Sequence, residues 1–369
     1  MSEHAFLPPS SAASWVKCAM WPHMNARYPE LGDSSQSSEG TGAHWAASEM
    51  LLGREVVVGQ VAPNGVVIDN EMIDAAWLYC DDVDTASGQM VVEQRVAIPY
   101  VHELNWGTPD CYKWDANSLT LTVWDFKYGF GYVEVYENWQ LIDYVCGITQ
   151  SVSGVDDERI TVDMRVVQPR SYHREGPVRK HVVKLSDLRA KFNILKNAAA
   201  AVMSPEPRAM TGKHCEYCPG RHACPELQKA ALNAADIASI ATPFDLPASA
   251  IGRELRYLSY ARELLDARVS GLEEETLAKI RRGERVPFFT VEQSMGRLAW
   301  NCSNETVFAL GHALGVDLRK APEPLTPTQA KKLLPEAIIE MNASRPKGEM
   351  KLIEVQELTA QKIFGLNKE

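Results

Sequence analysis

The run Leu121-Thr-Val-Trp-Asp125-Phe-Lys127 sets a carboxylate and an ammonium two residues apart among β-branched and aromatic side chains. On a strand, side chains two apart share a face, so Asp125 and Lys127 project together while Phe126 turns the other way into the core. Upstream stands Gly107-Thr-Pro-Asp110. If Asp110 borders the neighbouring strand, two carboxylates converge on one point, which hard cations such as Mg²⁺ or Mn²⁺ require. Lys127 is then placed to orient or help deprotonate a water. That is the equipment of metal-assisted phosphodiester hydrolysis. The same spacing also describes a plain ion pair on a half-exposed strand, which is worth little.

Two further pieces keep the same order along the chain. Gln140 and Tyr144 are one helical turn apart and face the same way, and His44 lies on an upstream helix. Singly, each reads as a packing residue. Together, Gly42-x-His44, Gly107-x-x-Asp110, Asp125-x-Lys127 and Gln140-x-x-x-Tyr144 resemble the RecB-type branch of the PD-(D/E)xK nuclease superfamily. The resemblance implies a restriction-endonuclease-like α/β core with a mixed sheet flanked by helices. It implies metal-dependent hydrolysis of DNA, by an exonuclease rather than an endonuclease, in phage recombination, replication or repair. His44, Asp110, Asp125 and the carbonyl of Phe126 would be ligands of Mg²⁺ or Mn²⁺, and Lys127 the catalytic lysine. Gln140 and Tyr144 would hold the DNA strand or support the site. Glu93, on the strand before, sits where many relatives carry a glutamate. Pro109 replaces the aliphatic residue more usual before the aspartate and marks a strand edge or bend.

The second constellation is Cys215-Glu-Tyr-Cys218-Pro-Gly-Arg-His-Ala-Cys224. Its spacing gathers three thiolates, and both tetrahedral zinc and cubane iron-sulfur clusters accept thiolates. His214 and His222 are at hand to complete a zinc site. RecB-type nucleases with an iron-sulfur staple carry one cysteine far upstream of such a run, and Cys18 stands there. The resemblance therefore implies a [4Fe-4S] cluster on Cys18, Cys215, Cys218 and Cys224 that ties the ends of the nuclease domain together across nearly two hundred residues. Cys80, Cys111, Cys146 and Cys302 have no such spacing and read as buried thiols.

Between Arg165 and Lys213, eleven Lys and Arg stand against three acids, while the whole chain carries a net charge of −10. Such a local excess beside a metal site is the expected footprint of a groove that tracks phosphates. Arg179, Lys180 and Lys184 are its candidate DNA-binding residues. The other reading is a solvated face whose charges pair with acids elsewhere. Trp106, Tyr112, Trp114, Tyr128, Phe130 and Tyr132 could stack on unpaired bases.

Apolar spacing places the elements that must hold these residues. Helices are expected over 14–24, from Thr41 to Gly53, near 70–79, over 136–148 and over 185–203; strands over 89–98, 119–127 and 159–168. Ala231 to Gly252 reads as a linker. A long amphipathic helix with Leu258, Ala261, Leu265, Val269 and Leu272 on one face follows, then a strand-like stretch at Val286–Glu292. The expected division is a nuclease domain over 1–234, a linker over 235–252 and a mainly helical accessory domain over 253–369. Phe289–Trp300, Leu325–Leu334 and the Pro9–Cys18 opening resemble a phage and prophage protein family that contains the RecB-type core.

The chain's 369 residues, 45% of them hydrophobic, suffice for a packed core and two domains. The acidic balance excludes a protein that coats nucleic acid by charge alone. With no run of eighteen apolar residues and no basic-then-apolar leader, the expected place is the cytoplasm of a bacterial host cell, away from membranes. Expected partners are DNA, as single strands or duplex ends, and a phage recombination or single-strand-binding protein. Two other classes compete: a catalytically silent DNA-binding scaffold and a zinc-stabilised adaptor for another protein. Intact Asp110, Asp125 and Lys127 speak against both.

Overall fold

The computed structural model describes residues 5–28, 35–152, 155–238 and 246–291. A 3-10 turn at Pro9–Ser11 leads into α1 (Ala12–Trp15) and α2 (Trp21–Arg27). The helix expected over 14–24 is thus broken around Cys18. Pro22, which has no N–H to donate, occupies the first turn of α2, where none is needed. Next come α3 (Ser35–Leu51) and α4 (Asn70–Asp84). The Asp69 carboxylate caps α4 by accepting from the Met72 N–H at 2.8 Å.

The strands are β1 (Gln89–Val92), β2 (Val96–Ala97), β3 (Trp106–Gly107), β4 (Cys111–Asp115) and β5 (Thr120–Phe126). Then follow α5 (Trp139–Thr149), β6 (Thr161–Val167), β7 (Val178–Lys184) and α6 (Leu185–Val202). A five-stranded sheet has the order β1-β4-β5-β6-β7. β5 and β6 run parallel, with α5 as their crossover, and the other neighbours are antiparallel. The chain is therefore an α/β fold with a mixed sheet flanked by helices, as expected at that level.

Alternation along β5 fixes what lies on each face. Leu121 and Val123 join Val162, Met164 and Val166 beneath α1, α5 and α6 in one core. Trp124 and Phe126 pack with α3 and α4 in the other. Asp125 and Lys127 accordingly belong to the α5 side. β7 was not among the expected strands, because its Val-Arg-Lys-His-Val-Val-Lys sequence is too polar to show a buried face. It is an edge strand, where charged side chains deter further pairing.

The strand expected over 89–98 divides at Glu93, whose φ of 49° ends β1. β2 then pairs with β3 in a separate two-stranded sheet. Further on, a 3-10 turn at Lys213–Cys215, α7 (Pro225–Ala238) and α8 (Ala248–Arg281) complete the described elements. α8 packs on α7 and on the 213–215 turn, and one compact unit spans Met1–Val291. The division thus falls later than the expected 235–252 linker, into which both α7 and α8 extend. The buried stripe of α8 is Leu264, Ala267 and Gly271, not the expected face: Leu258, Val269 and Leu272 are exposed. Gly271 permits close approach, since a Cβ there would meet Arg221 Cγ at 2.5 Å. Residues 286–291 form no strand, and Cys302 with the segments beyond 291 lies outside the described residues. No helix among the described residues is long and apolar enough to cross a membrane.

Candidate metal centre and cysteine recess

The ladder pairs Val92 with Cys111 and Cys111 with Trp124. One residue further along, Glu93, Asp110 and Asp125 stand at the same level on three adjacent strand ends. Backbone bonds hold the row: Glu93 N–H donates to Asp110 O at 3.1 Å, and Phe126 N–H to Asp110 Oδ2 at 2.7 Å. From α3, His44 brings Nδ1 to 3.2 Å from Asp110 Oδ1, its ring set against Phe126. His44, Glu93 and Asp110 bring one donor atom each within 4.8 Å of one another. Among the described residues, no other three His, Cys, Asp or Glu donors come so close.

Asp125 is held from the other side. Lys127 Nζ lies 3.0 Å from Asp125 Oδ1, and Gln140 Nε2 donates to the same oxygen at 3.0 Å. Gln140 Oε1 accepts from Lys127 Nζ at 3.2 Å, closing a three-membered polar ring. Gln140 can do this because Asn138 caps α5 directly behind it, accepting from the Gln140 and Leu141 N–H groups. Asp125 Oδ2 remains buried with no hydrogen-bond partner. A buried carboxylate oxygen without a donor is costly, and this carboxylate feels the charges of Asp110 and His44 in the cluster. A divalent cation satisfies such an oxygen, and the hard N/O donor set suits one.

The charges are interdependent. Burial and the neighbouring Asp110 push Glu93 up to about 7. Burial also raises Asp125, although Lys127 opposes it. Burial would raise Asp110, but His44 and Lys127 hold it below its ordinary value. Burial disfavours the charged forms of His44 and Lys127, yet the carboxylates raise both overall.

The structure gathers most of the expected site residues, with different partners for some. Phe126 offers its N–H to Asp110. Tyr144 is buried and donates its hydroxyl to Thr108 O at 3.0 Å, bracing the β3–β4 connection beside Asp110. Glu93, supported in sequence only by its position, is in the three-donor cluster, whereas Asp125 is not.

A family model described as a protein of unknown function, DUF2800, matches residues 4–357. The chain belongs to this family. In this DUF2800 member the second constellation forms a recess lined by Cys18, Cys215, Cys218, Cys224, Trp21 and His214, among others. Burial, with the neighbouring Cys215, Cys18 and Cys224, pushes the Cys218 thiol up to about 12. Four cysteines lining one recess can serve a tetrahedral zinc or a cubane iron-sulfur cluster. Two donors already point at sulfur or stand idle beside it. Met210 N–H reaches Cys18 Sγ at 3.5 Å, and Trp21 Nε1–H is buried with no partner. A thiolate-bound metal or iron-sulfur group fits these features. Cys80, Cys111 and Cys146 are buried elsewhere, as expected.

The basic stretch of this DUF2800 member reads differently in three dimensions. Arg179 is only 1% exposed and donates Nη2 to Gln168 Oε1 at 2.8 Å and to Val133 O at 3.0 Å. Lys180 pairs with Asp82 at 3.3 Å, and Lys184 bonds Thr161 Oγ1 at 3.0 Å. Arg165 is buried between Asp82 and Asp163, Arg170 joins Glu39 and Glu71, and Arg189 pairs with Asp157. The expected DNA-binding role of Arg179 is corrected: strand alternation turns it inward. Distant acids neutralise most of the local excess.

Sequence reasoning missed the Gln168 clamp. Its amide donates to Gly129 O and Gly131 O and accepts from Val133 N–H, fixing the loop that leaves Lys127. The clamp belongs to no spaced motif and depends on contacts the sequence does not display.

Proposed function

We propose that this protein is a metal-dependent DNA nuclease with a PD-(D/E)xK-type core, and that Cys18, Cys215, Cys218 and Cys224 hold a [4Fe-4S] cluster. The observation that carries the first part is the level row of Glu93, Asp110 and Asp125 with the unpartnered Asp125 Oδ2, closed by His44 and Lys127. His44, Glu93, Asp110 and Asp125 would hold the cation. When bound, such an ion polarises a phosphoryl oxygen and lowers the pKa of water. Gln140 keeps the Lys127 ammonium and the Asp125 carboxylate in register. Lys127, charged at neutral pH in this setting, supplies positive charge next to a phosphodiester and can orient a water through its remaining N–H groups. The four cysteines lining the recess and the idle Trp21 N–H beside them support a cluster. A preference for strand ends rests on the family resemblance alone.

The test is cleavage of end-labelled single- and double-stranded DNA by the purified full chain, with and without Mn²⁺. Metal-dependent cutting is expected. Asp125→Ala and Lys127→Ala should each lower the rate by about a hundredfold or more at unchanged folding, because each removes stabilisation of the transition state. Wild-type cutting rates in both variants would overturn the assignment.

A further inference from the structure

Near the candidate centre, Arg165, Arg170 and Arg179 are all held by internal acceptors. Arg95 is the exception. It is exposed, and among the described residues neither an acid nor a hydrogen-bond acceptor engages it. Its guanidinium instead lies 3.4 Å from the centroid of the Trp106 ring. Stacking on an indole fixes the plane of the fork while leaving its N–H edge open.

Placement gives this a purpose. Arg95 follows Glu93 by two residues, so its Cα is no more than about 7 Å from that of the cluster residue. Trp106, on the partner strand of the small sheet, runs through Gly107, Thr108 and Pro109 into Asp110. Both members of the stacked pair are therefore joined by short backbone to the carboxylates of the metal row. An open guanidinium suits a tetrahedral anion that it can grip with two N–H groups. In an acidic protein it also offers positive charge where the expected basic stretch has been neutralised.

We propose that Arg95, oriented by Trp106, is a phosphate clamp. It grips a backbone phosphate of the nucleic-acid strand adjacent to the one at the metal centre, an inference that rests on the nuclease reading above. Trp106 acts as a positioning residue through Arg95.

The test is binding of a fluorescently labelled single-stranded oligonucleotide to the full chain, with Ca²⁺ replacing Mg²⁺ or Mn²⁺, across a salt series. Arg95→Ala should weaken binding about tenfold or more and reduce the salt slope by about one, the value of one lost phosphate contact. Arg95→Lys keeps the charge but loses the planar fork, and should retain the slope at intermediate affinity. Trp106→Leu should lower affinity with the slope kept. Arg95→Ala with wild-type affinity and slope, in a protein that binds and cuts DNA, overturns the clamp and leaves the nuclease reading standing. A wild-type protein that neither binds nor cuts overturns both.

Discussion

Asp143 lies wholly buried on α5, one residue before Tyr144. The Asn105 Nδ2 sits 2.9 and 3.0 Å from its two oxygens, while Asn105 Oδ1 is buried without a partner. Burial pushes Asp143 up to about 8, against a partial lowering by Asn105. Protonated, and with the Asn105 amide turned over, Asp143 O–H donates to Asn105 Oδ1, which then takes the place of Nδ2 beside both carboxyl oxygens. Between an ordinary 3.8 and about 8, the folded chain then holds one proton more than the unfolded chain, so stability falls as pH rises and levels off above about 8. At about 1.4 kcal/mol per pH unit, the drop from pH 5 to pH 8 approaches ~4 kcal/mol. Asp143→Asn removes the titration and preserves the shape. Urea unfolding of both proteins, followed by circular dichroism from pH 5 to 9, isolates the effect as the difference between them. That difference should move in the variant's favour with rising pH and then plateau. A difference constant with pH would refute the neutral acid–amide pair.

Gln168→Ala removes three bonds to the loop that follows Lys127 and strands Arg179 without its side-chain acceptor. A loss of about 2–4 kcal/mol is expected, with faster proteolysis within 128–138 read by limited digestion. Cys218→Ser should yield a chain with less iron per protein, weaker visible absorbance and a lower melting temperature than a brown, anaerobically purified wild type. Stoichiometric zinc in a colourless wild type would remove the cluster from the proposal and leave the metal row untouched.

Strand alternation was legible because it depends on period alone: Asp125 and Lys127 share a face, and Phe126 enters the core opposite. That Gln140 and Tyr144 share one face of α5 was readable too, since they stand one helical turn apart, but the meeting of Gln140 with Asp125 and Lys127 was not. What escaped were features decided by tertiary partners. Lysines and arginines between 165 and 213 look like one basic surface in the sequence, yet β7 alternation buries Arg179 while Asp82, Asp157 and Glu71 come from elsewhere to pair its neighbours. The break at Glu93 has no glycine or proline to announce it. The buried stripe of α8 was misassigned because small residues, Ala267 and Gly271, face α7 and the cysteine segment where larger ones would not fit.

The recess that unites Cys18 with Cys215, Cys218 and Cys224 also sets a timetable. During synthesis Cys18 leaves the ribosome nearly two hundred residues before its companions, an interval of roughly 10–40 s at bacterial-to-eukaryotic elongation rates. Until α5 and α6 emerge in the course of that interval, α1 lacks the helices against which Trp15 is buried in the finished fold. The nascent chain therefore presents an apolar N-terminal segment and an unprotected thiol while the sheet assembles behind it. Chaperone occupancy and thiol oxidation should both concentrate there until Cys215, Cys218 and Cys224 arrive to complete the recess.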